Sequence, residues 1–428
     1  MKKFLFLIIS LFPAVSAFAQ TGIWSGNLEV MGTKLPLVFH LDDDKPTVDS
    51  PNQGAKGIPI QINRSENGEI TITVPMIGAV YNGKLENNEI VGTFRQNGMS
   101  FPLKLNQGEV KPNRPQTPQP PFPYTEEEVS FSNEDAVLKG TLTLPPNYNQ
   151  DTPVLLMVTG SGLQNRDEEI FDHKPFAVIA DALAKSGIAT LRYDDRGFGE
   201  STGDPVNCTT EDLMKDALAG IDLLRSRFKK VGVLGHSEGG TIALMLAADG
   251  KTDFIVSLAG MAVSGKETLM KQNQLAFREA GYSQETVEEY SEYLLPVFNN
   301  DASALDRIAV SNLPEALKQN LQVVAQQVNT PYMQYFLTLD MRPRLKDIVC
   351  PVLALNGTKD TQVFYQENLD ALENGLNPDT SHRLLALEGL NHLFQHANTG
   401  SITEYANIEE TFAPEALTEI INWIQSLK

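Results

Sequence analysis

A serine enclosed by glycines stands in the segment Gly235-His236-Ser237-Glu238-Gly239. The apolar run 231–234 precedes it, and an apolar stretch beginning near Thr241 follows, so the pattern predicts a strand, a sharp turn and a helix. On such a turn the serine backbone is strained, and larger residues two positions away would clash with the neighbouring strand and helix. The segment therefore predicts Ser237 as the nucleophile of an acyl-transfer reaction.

A nucleophilic serine needs a base to take its proton and a carboxylate to orient that base. In this strand-turn-helix setting the expected chain order is serine, aspartate, histidine. Asp360 follows the predicted strand 352–355 through a short loop, and His392 follows the apolar run 384–387 in the same way. Both are therefore expected at the sheet edge that carries Ser237, with Asp360 as the acid and His392 as the base.

The negative oxygen that forms during acyl transfer needs two backbone N–H donors. Glu238, which follows the nucleophile, is predicted to supply the first. The loop 159–163 follows the predicted strand 154–158, and its compact Gly-Ser-Gly sequence favours it as the source of the second. We expect Ser161 to be this donor, with Gly162 and Leu163 as alternatives.

Four other histidines could compete with His392 for a catalytic or metal-binding role. His392 and His396 are four residues apart and could bind a metal if they shared a helix, but the glutamate of an H-E-x-x-H site is absent. His236 is expected to pack beside the nucleophile, and His40 and His173 precede the serine and are out of order for the base. The sequence thus predicts neither a metal nor a cofactor.

The elements that must position these residues alternate between apolar strands and amphipathic helices from residue 124 to 428. This alternation predicts an α/β unit with a doubly wound, mostly parallel sheet. Between about residues 261 and 346 the alternation gives way to helical patterns, which predict an inserted helical cap. Most cap aromatics are expected to pack within the cap; they are Tyr290, Tyr293, Phe298, Tyr332, Tyr335 and Phe336.

Residues 20–106 have a different character, with short period-two strands separated by tight-turn sequences, and predict a small antiparallel β domain. Residues 107–123 contain six prolines and are typical of an extended linker.

At the start of the chain, Lys2 and Lys3 precede the apolar stretch 4–12, and residues 17–19 fit a small-x-small cleavage rule. We expect residues 1–19 to be a signal peptide cleaved after Ala19, which implies a periplasmic or secreted protein.

The 428 residues carry a formal net charge of −20, which argues against nucleic acid or an anionic membrane surface as partner. After the signal-like segment, no apolar stretch reaches the roughly 18 residues of a transmembrane helix. Export would permit a disulfide between Cys208 and Cys350, but two buried free thiols are the favoured state. The oligomeric state cannot be predicted.

From residue 124 onward the chain resembles bacterial α/β-hydrolase esterases related to the serine aminopeptidase-like hydrolases and acyl thioesterases. The matching segments are GSG (160–162), RDE (166–168), HKPF (173–176), DDRGFGES (194–201), GHSEGG (235–240), NGTKD (356–360) and NH (391–392). The resemblance implies a carboxylic-ester hydrolase with the triad named above, and Asp194 and Arg196 as structural supports. It does not extend to the β domain.

The sequence is therefore compatible with three functions. The first is hydrolysis of small-molecule carboxylic esters through an acyl-enzyme. The second is peptidase activity of the same fold, with acidic cap residues such as Glu288, Glu289 and Glu292 holding a free amino terminus. The third is an inert hydrolase core whose β domain binds a glycan or cell-wall ligand.

Overall fold

A computed structural model describes residues 20–30, 33–42, 44–51, 55–65, 67–96, 98–109 and 112–427. The predicted signal peptide 1–19 and its cleavage site lie outside the described residues. The chain divides into two compact units, of which the first ends at Asn113 and the second begins at Arg114. The division falls inside the predicted linker, and the second unit begins ten residues earlier than expected. The guanidinium of Arg114 explains this, because it donates to the carbonyls of Phe171, Ala406 and Ile408.

The first unit is an antiparallel sheet of nine strands within its described part. The strands are β1 (Ile23–Val30), β2 (Thr33–His40), β3 (Thr47–Ser50), β4 (Ala55–Pro59), β5 (Gln61–Arg64), β6 (Glu69–Val74), β7 (Ala79–Glu86), β8 (Glu89–Gln96) and β9 (Met99–Gln107). Their order is β4-β3-β2-β1-β9-β8-β7-β6-β5, and Ile60 alone separates the two edge strands. The sheet encloses an apolar core that includes Trp24, Phe39 and Tyr81.

The second unit contains an eight-stranded sheet of order β10-β11-β13-β12-β14-β15-β16-β17. The strands are β10 (Thr125–Asn133), β11 (Ala136–Leu144), β12 (Val154–Val158), β13 (Ala189–Tyr193), β14 (Val231–His236), β15 (Phe254–Leu258), β16 (Val352–Gly357) and β17 (His382–Leu387). The last six strands in the chain pair in parallel, as the alternation predicts. The antiparallel hairpin β10–β11 was not predicted.

Helices cover both faces of this sheet. They are α1 (Pro175–Lys185), α2 (Thr210–Arg225), α3 (Glu238–Ala248), α9 (Tyr365–Gly375) and α10 (Pro414–Ser426). Side chains of β12 alternate between the two resulting cores: Leu156 enters one, and Leu155 and Met157 enter the other. Because both faces are buried, the strand is apolar at every position.

Five α-helices and one 3-10 helix (Leu345–Asp347) lie between β15 and β16, in the region predicted as a cap. The α-helices are α4 (Gly265–Glu279), α5 (Gln284–Phe298), α6 (Ala304–Ala309), α7 (Glu315–Val328) and α8 (Pro331–Thr338). Ser264 and Glu267 form a capping box that begins α4. The cap has its own apolar core, which includes Tyr290 and Leu321.

Cys208 and Cys350 are both buried and are not joined to each other. Within the described ranges, no helix has the length and apolar character needed to cross a membrane.

Candidate active site

Ser237 lies on the sharp turn between β14 and α3, with φ +52° and ψ −117°. A Cβ on Gly235 would lie 1.9 Å from the carbonyl oxygen of Gly239, and one on Gly239 would lie 2.0 Å from that of Val158. Glycine is therefore required at both positions. The helix begins at Glu238 and not near Thr241 as predicted, because two glycines occupy its first turn and hide the apolar periodicity.

Asp360 and His392 meet at the carboxyl end of the sheet. The Nδ1 atom of His392 lies 2.8 Å from Oδ2 of Asp360, and both side chains are buried. The other carboxylate oxygen accepts the backbone N–H groups of Gln362 and Val363, at 2.8 and 2.9 Å. With Nδ1 donating to Asp360, Nε2 of His392 is the ring atom that can accept a proton.

One cavity of about 340 Å³ is lined by three of the five predicted site residues, Ser237, His392 and Ser161. Its apolar wall comes from the core and from the cap; it includes Met261, Leu269, Met333, Phe336, Val363 and Leu393. Among the cap aromatics, Tyr332 and Phe336 line the cavity, while Tyr290 and Phe298 lie in the core of the cap. The acidic cap residues Glu288, Glu289 and Glu292 do not line it.

The predicted oxyanion donors lie on two sides of Ser237. Glu238 is the first residue of α3, so its N–H has no acceptor within the helix. A Cβ on Gly160 would lie 3.2 Å from Cβ of Ser237, which places the 159–163 loop beside the nucleophile. The N–H of Gly160 is already engaged with Glu168, at 2.7 Å, and Ser161 is the next residue along the loop.

The 194–201 segment supports this loop. Asp195 accepts the hydroxyl of Thr159 and the backbone N–H of Gln164, both at 2.8 Å, and so joins the two ends of the loop. Burial raises the pKa of Asp195 to about 8. Asp194 and Arg196, which the resemblance assigns to structural support, form ion pairs with Arg166 and Asp216, respectively.

The side chain of Glu238 connects the nucleophile elbow to the cap. It is buried and accepts the hydroxyl of Thr210 at 2.6 Å and the hydroxyl of Tyr332, on α8, also at 2.6 Å. The residue after the nucleophile is thereby held by helix α2, which begins at Thr210, and by the cap.

A buried pair that the sequence did not reveal lines the cavity. His236, which was expected only to pack, has its Nδ1 atom 2.9 Å from Oε1 of Glu168. Burial by itself would lower the pKa of His236, but Glu168, the carbonyl of His392 and Asp360 together outweigh burial, and the pKa is raised. The RDE segment was part of the resemblance, but no spacing rule connects Glu168 to a histidine 68 residues away.

His392 and His396, the two histidines with the spacing of metal ligands, contact different partners. His396 is exposed and its ring contacts Glu410 and Glu415, each at 2.9 Å, whereas His392 faces Asp360. Across the part of the chain that the structure describes, no cluster of three or more His, Cys, Asp or Glu side chains could hold a metal ion.

The sheet with its nucleophile elbow and cap defines an α/β-hydrolase. Residues 134–396 match the family model described as X-Pro dipeptidyl-peptidase (S15 family). This match spans more than half of the chain, and the chain therefore belongs to that family.

Two curated relatives carry the names of acyl hydrolases. The chain is 29% identical over 275 residues to esterase EstD of Thermotoga maritima, covering 62% of this chain and 60% of the relative. It is 26% identical over 204 residues to the mitochondrial palmitoyl-protein thioesterase ABHD10 of Mus musculus, covering 47% and 59%. The chain thus spans about three fifths of the length of these relatives. Among solved structures, the Pyrococcus furiosus esterase Pf2001 matches at 16% identity and a TM-score of 0.43, over 75% of this chain and 98% of that one.

Proposed function

We propose that this protein hydrolyses carboxylic esters of small molecules through an acyl-enzyme on Ser237. The observation that carries the proposal is the Asp360–His392 pair, whose facing atoms are 2.8 Å apart and whose histidine lines the same cavity as Ser237. Ser237 Oγ attacks the acyl carbonyl while His392 Nε2 takes its proton. His392 then returns the proton to the leaving alcohol, and water releases the acid by the same steps.

The two N–H groups of Glu238 and Ser161 bind the oxyanion in this mechanism. Donors of this kind lower the barrier by roughly 3 kcal/mol each, because they are already oriented toward the developing charge. The cavity of about 340 Å³ lies at the lower end of the usual range of about 300–1,000 Å³ for small-molecule sites. Both features favour a small acyl substrate.

The family description makes a dipeptidyl-peptidase the second candidate. A peptidase that recognises a free amino terminus needs a carboxylate available in the cavity. Of the described residues that line the cavity, Glu168 is the single acidic one, and it is engaged by His236 and Gly160. The charge pairing in the cavity therefore favours neutral esters over peptides with a free amine.

This preference gives a direct test on matched substrates. We expect p-nitrophenyl propionate to be cleaved with a kcat/KM at least about tenfold above that of alanyl p-nitrophenyl ester, because binding the ammonium group without a free carboxylate leaves a charge partly desolvated. An X-Pro p-nitroanilide should be slower still. Faster cleavage of the anilide than of the propionate would assign the chain to peptidase activity.

A binding protein with an inert core is the third candidate. A fluorophosphonate probe separates it from both hydrolases, since only an activated serine reacts with the probe. We expect one label per chain, on Ser237. A folded protein that takes up no label would favour the binding function.

We also propose that the protein is exported. The support is the basic start at Lys2 and Lys3, the apolar stretch 4–12 and the small residues Ala17 and Ala19. Expression of the full chain in a Gram-negative host should yield a periplasmic protein whose first residue is Gln20. Ala17→Arg should block this cleavage, and a wild-type product that retains residues 1–19 would contradict the proposal.

A further inference from the structure

Glu168 and His236 are both almost fully buried, with 4% and 7% of their surface exposed, and neither belongs to the predicted triad. Glu168 comes from the loop between β12 and α1, and His236 is the last residue of β14. Their contact, 2.9 Å from Nδ1 to Oε1, therefore joins two separate segments that line the cavity.

The second ring nitrogen of His236 determines its charge. Nε2 lies 2.9 Å from the backbone carbonyl oxygen of His392. A carbonyl oxygen and an ionised carboxylate can only accept hydrogen bonds, and a neutral imidazole has a single N–H to donate. With Glu168 ionised, both contacts are hydrogen bonds only if His236 is an imidazolium, and the raised pKa of His236 agrees with this state.

Glu168 also reaches the oxyanion loop. The same Oε1 atom that contacts His236 accepts the N–H of Gly160 at 2.7 Å. Three segments thus meet at one carboxylate-imidazolium pair: the loop before Ser161, the strand end before Ser237, and the loop of His392, whose ring centroid lies 4.7 Å from that of His236.

We infer that Glu168 and His236 form a buried ion pair that positions the oxyanion loop, the nucleophile and the catalytic histidine relative to one another. The inference rests on the proposed function, because it assigns these two residues a role in the same reaction. They are positioning residues, since they act through the backbone of Gly160 and His392. Two further carboxyl groups act on the pair: Asp360 contributes to the raised pKa of His236, and the charge of Glu168 contributes to the raised pKa of Asp195.

Glu168→Gln is the variant that tests the ion pair most directly. The amide oxygen can still accept from Gly160 and from Nδ1–H, but it cannot hold His236 as a cation. Neutral His236 then has no proton on Nε2, so its lone pair faces the carbonyl oxygen of His392 and displaces that loop. We expect kcat on p-nitrophenyl propionate to fall 10- to 100-fold at pH 8, with KM changed by less than threefold.

The pH profile separates positioning from a merely structural role. Lowering the pH protonates His236 again, so the ratio of variant to wild-type kcat should rise between pH 8 and pH 6. Glu168→Asp keeps the charge and should recover part of the loss. Glu169→Gln is the matched control, because Glu169 is the adjacent, exposed glutamate and should leave kcat unchanged.

Each outcome has a distinct meaning. A wild-type protein that neither hydrolyses esters nor reacts with fluorophosphonate would refute the proposed function itself. An active wild type with a Glu168→Gln variant of unchanged kcat, or with a loss that is independent of pH, would refute the positioning role. If the variant does not fold, the ¹⁵N shifts of the wild-type His236 ring decide: protonation of both nitrogens at pH 8 supports the ion pair, and a neutral ring overturns it.

Discussion

Ser237→Ala is expected to abolish hydrolysis of short p-nitrophenyl esters, with kcat reduced by roughly 10⁵-fold or more, as is typical when a triad nucleophile is removed. The variant loses the atom that forms the acyl-enzyme, and no other hydroxyl occupies the elbow between β14 and α3. Alanine also has a Cβ, so the strain at φ +52° is the same as with serine and the fold should be retained. Steady-state kinetics and fluorophosphonate labelling measure the two consequences independently.

Ser130→Ala provides the matched control, because Ser130 is an exposed serine on the edge strand β10. Its kcat should equal that of the wild type. Thermal unfolding of both variants should lie within a few degrees of the wild-type transition. Hydrolysis that persists in a folded Ser237→Ala protein would show that another residue is the nucleophile.

The sequence identified Ser237 because the elbow is a local structure, in which glycines, strand and helix are adjacent in the chain. Asp360 and His392 could be predicted for a related reason. The carboxyl ends of parallel strands meet at one edge of a sheet, so residues that follow such strands are expected to lie close together. The structure places these two side chains 2.8 Å apart at that edge. The doubly wound, mostly parallel sheet was predicted from the alternation of strands and helices, and the elbow and the resemblance added the α/β-hydrolase type.

The pair of Glu168 and His236 could not be predicted in this way. Glu168 lies on an irregular loop with φ +52°, and the path of that loop decides whether its carboxylate faces His236 or solvent. Periodicity carries no information about such a path. Only the fold shows that one carboxylate oxygen contacts both Gly160 and His236.

The hairpin β10–β11 was missed because its edge strand is highly charged. Glu126, Glu127 and Glu128 are consecutive in β10, which is unlike a buried strand. Each forms an ion pair with an arginine from another part of the second unit; the partners are Arg192, Arg227 and Arg166, respectively. Charged side chains on an edge strand are also a common protection against pairing with other chains.

Asp360→Asn is expected to lower kcat by about 10⁴-fold near neutral pH, the size of effect seen when the triad aspartate of a serine protease is replaced in this way. The reason lies in the partners of the two carboxylate oxygens. Oδ1 accepts two backbone N–H groups, so the oxygen of the asparagine must stay on that side. The NH₂ group then faces His392, whose Nδ1 becomes an acceptor and whose proton moves to Nε2. That tautomer cannot take the proton of Ser237.

The variant should keep its fold, because asparagine matches aspartate in size and retains the two backbone hydrogen bonds; its one new conflict is with the side-chain amide of Asn356, 3.3 Å from Oδ2. Asp370→Asn, at an exposed position of α9, should leave kcat unchanged and serves as the control. Since the tautomer and not substrate binding is altered, KM should change little. A loss of less than tenfold in kcat would show that Asp360 does not orient the base, and another carboxylate would have to be sought for His392.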